Sequence, residues 1–263
     1  MQRVIGQAVV ETVAAESPKF TAPMLLIHGL WCAAPVWRRF MGYFAHRGWT
    51  CHALNLRGHG ASPPVAIGSV RLADYQQDVR QAVEACESPP VLVGHDLGAL
   101  LALWCGQSTA RAIVALAPLV PRAVAGTKLS LASGLRTLHA MRRSQPVSPP
   151  RGKRATACFA SGPPGGAAPD SGYALRELAG DTLHLDGWNG PPTLTIAGER
   201  DSVCPPALVE KLARRLGATW RTVPEAGHAL PWEPGWERRV AEIHRWLIQT
   251  LGEPLLLPRE PED

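Results

Sequence analysis

The stretch PVLVGHDLGALLALWCG, residues 90–106, decides how the whole chain is read. Pro90–Val93 is a short apolar run of the length a buried strand takes, and Ala99–Gly106 is apolar enough for a helix inside a core. Between them, Gly94 and Gly98 bracket His95, Asp96 and Leu97. Glycines at both ends permit a strained turn that holds the central side chain, Asp96, proud of the strand, and the start of the helix lends it partial positive charge. The spacing is that of a G-x-S-x-G turn with Asp in the Ser position. Two glycines four apart are common; the strand before and the helix after them make the pattern informative.

Working outward, strands and helices alternate. Met24–Ile27 reads as a buried strand ending at His28-Gly29, and Val36, Trp37, Phe40, Met41 and Phe44 recur at helical spacing after Pro35. Cys51–Leu56 is a second strand, broken by Arg57-Gly58-His59-Gly60, and Leu72, Tyr75, Val79, Val83 and Cys86 stripe one helix face. Further strands are expected at Ile113–Leu116, Thr193–Ala197 and Thr219–Val223, with a helix over Pro206–Leu216. A last helix runs from Glu233 to Leu251 and buries Val240, Ile243, Trp246 and Leu247. Val4–Val13 suits an antiparallel edge strand or hairpin. Such alternation predicts an α/β fold with a mostly parallel sheet covered on both faces. Residues 119–189 break the rhythm: they are rich in Gly, Pro, Ser, Ala and Arg, with two short helices expected at Leu129–Met141 and Tyr173–Leu183. The expected organisation is a core in two parts, 1–118 and 191–263, with a cap or lid inserted over 119–190.

Composition bounds the function. At 263 residues and 46% hydrophobic, the chain can bury one large core. No apolar run approaches the roughly 18 residues of a membrane span, and Met1–Val10 lacks the apolar region of a secretory signal. The six cysteines, 32, 51, 86, 105, 158 and 204, are scattered without a CxxC pair, which reads as buried thiols in a reducing compartment, hence a cytoplasmic protein. The net charge of +5 is unevenly placed. Between Pro118 and Pro169 there is no Asp or Glu, while Arg122, Lys128, Arg136, Arg142, Arg143, Arg151, Lys153 and Arg154 all fall there. That segment is either a solvated basic surface or an attractor of an anionic substrate or partner. No aromatic residues interleave with it as a nucleic-acid platform requires. No HExxH, His/Cys cluster or calcium-type loop is present, so no metal is expected, and no G-x-G-x-x-G follows a strand, so no dinucleotide cofactor is expected. The expected partner is a small-molecule substrate, with no nucleic acid and no membrane; a homodimer is left open.

Two later motifs complete a constellation. Gly198-Glu199-Arg200-Asp201 follows one strand, where a loop carboxylate can orient a base, and Gly227-His228 follows the last strand. The order Asp96, Asp201, His228 is that of nucleophile, acid and base. With His28-Gly29 and the run Leu56–Ser62 added, residues 20–250 resemble the α/β-hydrolase superfamily. The resemblance implies a sheet of about eight strands, a cap inserted after the sixth, no cofactor, and an oxyanion hole from the N–H groups of Leu97 and Leu30, with Trp31 as the near alternative to Leu30. The Gly-His-Asp-x-Gly turn resembles that of haloalkane dehalogenases and epoxide hydrolases. In their manner Asp96 would form an ester at a saturated carbon, and His228, held by Asp201, would activate water to hydrolyse it. The chain departs from both patterns. Leu97 stands where dehalogenases have a halide-binding Trp, Leu30 where they often have Asn, and Trp31 where epoxide hydrolases have Pro. Tyr173 is the one tyrosine of the expected cap.

The expected activity is therefore cofactor-free hydrolysis of a small organic molecule, with carbon–halogen or epoxide opening preferred. Ester, lactone or thioester cleavage, base chemistry by Asp96 and His228, and ligand binding without turnover are the alternatives. Glu199 competes with Asp201 for the orienting role, and Asp186 is a weaker third. His28, His59 and His95 read as organisers of turns, His184 as surface. Trp31, Trp188, Trp232 and Tyr173 are candidate substrate-lining residues, Trp104 and Trp246 core, and Cys204 the one thiol expected near the site.

Overall fold

The computed structural model describes residues 1–125, 135–180 and 188–252. The first part of the chain lays down β1 (Gln2–Ile5), β2 (Ala8–Val13), β3 (Met24–Ile27), α1 (Arg38–His46), β4 (Cys51–Asn55), α2 (Leu72–Glu84), β5 (Val91–His95), α3 (Leu97–Gly106) and β6 (Ala112–Leu116). The expected Val4–Val13 edge is the hairpin β1–β2, turned at Gly6 with φ +59°. Pro35 opens a 3-10 turn over Ala34–Trp37 that runs straight into α1.

The second part returns to the same sheet through β9 (Thr193–Gly198), α8 (Pro206–Leu216), β10 (Thr219–Val223) and α9 (Trp236–Leu251). The eight strands lie in the order β1-β2-β4-β3-β5-β6-β9-β10. β2 runs antiparallel to both neighbours and every other core pairing is parallel. This is the α/β-hydrolase architecture expected from the sequence. The central strands β3, β5 and β6 are buried along their whole length, whereas the edge strand β1 is mostly exposed. That is why the former read as unbroken apolar runs: helices cover both of their faces. α3 lies behind β5 and β6 with Leu97–Leu103 all buried, which explains a helix with no polar stripe.

Between β6 and β9 the chain forms α4 (Arg122–Ala125), α5 (Leu135–Arg142), β7 (Pro146–Val147), α6 (Lys153–Phe159), β8 (Asp170–Ser171) and α7 (Gly172–Leu178). β7 and β8 make a two-stranded sheet of their own. Over the described residues, the helices expected at Leu129–Met141 and Tyr173–Leu183 correspond to α5 and α7; positions 129–134 and 181–183 lie outside the described residues, as do His184, Asp186 and the tail from 253. Among the described residues, no helix is long and apolar enough to cross a membrane.

Candidate active site

The candidate residues gather at the carboxyl ends of the parallel strands, where open α/β sheets place their clefts. Asp96 follows β5 with φ 55° and ψ −118°, outside the regions open to ordinary side chains. The flanking glycines make this turn fit. A Cβ on Gly94 would strike the Gly98 carbonyl and the Ala99 backbone, and one on Gly98 would strike the carbonyls of Ile27 and His28. Gly29 faces Asp96 in the same way, its imagined Cβ falling 2.6 Å from that of Asp96.

Asp201 and His228 reach the turn from the loops after β9 and β10. His228 Nδ1 donates to Asp201 Oδ2 at 2.8 Å, and its Nε2 stands 3.5 Å from Asp96 Oδ2. All three side chains are buried. The loops are braced from outside the trio. Asp201 Oδ1 accepts the N–H groups of Val203 and Cys204. His95 Nε2 donates to the His228 carbonyl at 2.8 Å, so the residue beside Asp96 turns away to fix the backbone of His228. Glu233 accepts from Gly227 N–H, and Arg239 donates to the carbonyls of Leu230, Glu233 and Pro234. Glu199, the rival to Asp201, is exposed and accepts from Glu225 N–H instead.

Burial alone would lower the pKa of His228, but hydrogen bonding to Asp201 and Asp96 overrides it and raises the value well above the ordinary one. Burial pushes the Asp96 carboxyl up, and His228 opposes that rise. Asp201 and Asp96 thus both favour a proton on the imidazole, while the Asp96 carboxyl itself lies above its ordinary value because burial outweighs the opposing effect of His228. Asp96 Oδ1 is buried and has no hydrogen-bond partner among the described residues.

Opposite Asp96, two N–H groups are candidates for an oxyanion hole. Leu97 begins α3, and the first N–H groups of a helix have no acceptor within it. Leu30 N–H has no acceptor among the described residues, whereas Trp31 N–H donates to Asp170 Oδ2 at 3.0 Å. Trp31, weighed as the alternative to Leu30, is thus already engaged.

Asp170 escaped the sequence reading. It sits on β8 in the insert, fully buried, and accepts from Trp31 N–H, Tyr75 Oη–H at 2.8 Å and Ser171 N–H. His59 Nε2 lies 3.4 Å from the same carboxylate and its Nδ1 donates to the Arg57 carbonyl. Burial would raise the carboxyl of Asp170, but the adjacent His59 and the N–H donors hold it down at about 2. His59 is raised in turn, Asp170 outweighing the effect of burial. His28 is different: burial and neighbouring His59 lower it to about 3, so it stays neutral, donating from Nδ1 to Gly29 O and accepting Leu56 N–H at Nε2. The turn-organising roles expected of His28, His59 and His95 are visible in these bonds. The one sequence signal for Asp170 was its place as the first acid after the carboxylate-free segment.

The aromatic candidates separate. Trp31 lines two cavities, one of which also takes in Ser202 and Val203 beside Asp201. Its indole N–H donates to Val147 O, and that of Trp232 donates to Phe159 O, so neither is offered to a halide. Trp232 packs instead against His95. Trp188 is half-buried against the core. Tyr173 lies between the guanidinium groups of Arg71 and Arg176, away from the constellation expected of an epoxide-protonating tyrosine, and Tyr75 spends its hydroxyl on Asp170. Cys204 lies beside His228 as expected; Cys32 and Cys158 also feel the charges of Asp96 and His228.

Asp201, Cys204 and His228 have potential ligand atoms within 4.8 Å of one another. Their chemistry argues against a metal there. Burial pushes the Cys204 thiol up to about 12, so it stays protonated, and both oxygens of Asp201 already accept hydrogen bonds from His228 and the backbone.

A sequence profile of the alpha/beta hydrolase family matches residues 24–243, and the chain belongs to that family. No curated protein sequence matches it. In fold it is similar to a monoacylglycerol lipase of Paleococcus ferrophilus, with TM-score 0.71 and 18% identity over 92% of this chain and 99% of that one. A soluble variant of the Saccharomyces cerevisiae monoglyceride lipase gives TM-score 0.73 at 15% identity, covering 95% of this chain and 94% of the other. A thermophilic esterase from Thermogutta terrifontis gives 0.68 at 18%, covering 95% and 99%. At such identities the likeness establishes the fold.

Proposed function

We propose that the protein hydrolyses a small organic molecule through Asp96 as a covalent nucleophile, with His228 as base, Asp201 as its orienting acid, Leu30 and Leu97 N–H as oxyanion donors, and residues 119–190 as the cap. The observation that carries this reading is the placement of His228 between two buried carboxylates, with Nδ1 2.8 Å from Asp201 Oδ2 and Nε2 3.5 Å from Asp96 Oδ2. A serine in this place needs a neutral histidine to take its proton; a carboxylate needs none. Asp96 attacks a saturated carbon, the carbon–oxygen bond forms as the bond to the leaving group breaks, and the leaving group departs with the electron pair. Esterification cancels the charge on Asp96. That removes one of the two anions holding the proton on His228, which can then release it to solvent. Neutral His228 takes a proton from water as the water attacks the Asp96 ester carbonyl, and the resulting oxyanion points at Leu30 and Leu97 N–H. Collapse frees the alcohol and restores the carboxylate. Overall, substrate and water give alcohol, leaving-group anion and a proton.

Among the described residues no tyrosine hydroxyl is placed to protonate an epoxide oxygen, which favours a group able to leave as an anion, such as a halide. The test is His228→Ala, exposed to haloalkanes, epoxides and activated esters and weighed intact. It should be run up to about pH 9, because loss of the imidazolium leaves burial alone acting on Asp96. An adduct mapped to Asp96, with turnover reduced by about 10²–10⁴, is expected. Wild-type turnover of a compound that never labels the variant would instead assign Asp96 and His228 to base chemistry on water.

A further inference from the structure

Two cavities share a wall near the loop that carries Asp201. The small cavity, about 230 Å³, includes Cys158, Ser202 and Val203 in its wall; Ser202 and Val203 follow Asp201 directly, and the Cys158 thiol feels His228, Asp96 and Asp201. The larger, about 420 Å³, carries Arg136, Arg151 and Arg154 together with the hydroxyl-bearing Thr137 and Ser148. Trp31, Pro150 and Arg154 belong to the walls of both. Arg154 is also close enough to act on the charge of Cys158, so one guanidinium spans the step from the outer cavity to the inner.

Arg136, Arg151 and Arg154 are exposed, so water screens their mutual repulsion, but three guanidinium groups around one cavity make a local positive field that favours an anion. The described residues around the cavity supply none. No carboxylate lines either cavity, and none of the three arginines forms an ion pair among the described residues. The sequence around them has no Asp or Glu from Pro118 to Pro169, and the first acid that follows, Asp170, is consumed in the buried cluster with His59 and Tyr75. Elsewhere some exposed arginines find carboxylates, as Arg200 finds Glu225 and Arg214 finds Glu210.

We propose that this cavity is an anion subsite and that the substrates are small molecules bearing a carboxylate or phosphate at one end. The anionic end sits among Arg136, Arg151 and Arg154, against the Trp31 wall, and the reactive carbon reaches inward past Cys158 to Asp96. Guanidinium forks suit both groups, since each offers paired oxygens. The inference rests on Asp96 being the reactive centre only for the direction in which the substrate lies; the binding of the anion stands apart from the chemistry.

The test uses binding first. Butanoate and butyl phosphate are titrated calorimetrically into the full-length protein, with butanol as the neutral control, and into the variant carrying Arg136→Gln, Arg151→Gln and Arg154→Gln. Arg143→Gln, in the same basic segment but lining neither cavity, controls for charge alone. Saturable binding of at least one anion, weakened tenfold or more in the triple variant and unchanged in Arg143→Gln, is the expected result; whichever anion binds tighter names the headgroup. Equal binding to wild type and triple variant, or no binding of either anion, overturns the subsite. The same anions should slow labelling of Asp96 in His228→Ala. If they bind through the arginines while Asp96 is never labelled by any substrate, the subsite stands and the nucleophile reading alone fails.

Discussion

Asp96 carries two unusual conditions at once: a backbone with φ 55° and a buried carboxyl 3.5 Å from the imidazole of His228. Such a conformation costs about 1–3 kcal/mol and persists only where the surroundings enforce it. Here Gly29, Gly94 and Gly98 let neighbouring backbone close around it. The electrostatic half of the arrangement is directly testable. Asp201 and Asp96 both raise His228, so Asp96→Asn should lower its pKa while Asp201 still holds it above the ordinary value. Titration of the imidazole signals by NMR in wild type and variant checks the sign, and activity should be lost with the fold retained. An unchanged His228 titration would mean that Asp96 is not the second anion. At this scale much was legible, because the glycine spacing and the chain order of Asp96, Asp201 and His228 are sequence properties. The choice of Leu30 over Trp31 was not. It depends on Trp31 N–H being taken by a carboxylate 139 positions away.

At the scale of elements, the core strands were readable nearly to the residue. β3 and β10 fall on the expected boundaries, as does α8, since strands buried on both faces and an amphipathic helix leave plain patterns. The insert left none. Its strands are two residues long and its helices α6 and α7 seven each, too short for a period to declare itself. What ties the insert to the core is Asp170, which joins β8 to the loop after β3, to α2 through Tyr75 and to the turn after β4 through His59. Its carboxyl, held at about 2 against an ordinary 3.8, contributes stability on the order of 2 kcal/mol above pH 4. That contribution is complete above the unfolded value and is lost as the pH falls towards 2. The raised His59 acts in the opposite sense: its contribution is full below about pH 6.5 and fades as the pH rises through its folded value. The cluster is therefore most stabilising between roughly pH 4 and 6.5. Asp170→Asn should lower stability most in that window, and urea unfolding of both proteins across pH 2–8 should show the gap closing at the acid end. A gap independent of pH would assign Asp170 a packing role without charge.

Across the whole molecule, the charge is segregated. The carboxylate-free segment from Pro118 to Pro169 carries eight basic residues against a net charge of +5, so the remainder of the chain carries a small excess of acids. An anionic substrate is thus drawn towards the cavity of Arg136, Arg151 and Arg154 and repelled by much of the rest, a distribution that raises encounter rates at one mouth. Salt weakens exposed charges beyond a Debye length, about 10 Å at 0.1 M and about 3 Å at 1 M, while leaving the buried pairs of Asp96, His228 and Asp201 largely unscreened. Two consequences can be separated. Raising NaCl should lower kcat/KM several-fold for a substrate ending in carboxylate or phosphate, and leave it nearly constant for an uncharged analogue with the same reactive carbon. In the triple glutamine variant the salt dependence for the anionic substrate should flatten towards that of the uncharged one. An equal loss for both substrates would mean that salt acts on the chemistry or the fold. A steep dependence surviving in the triple variant would place the attraction on other cations of the surface.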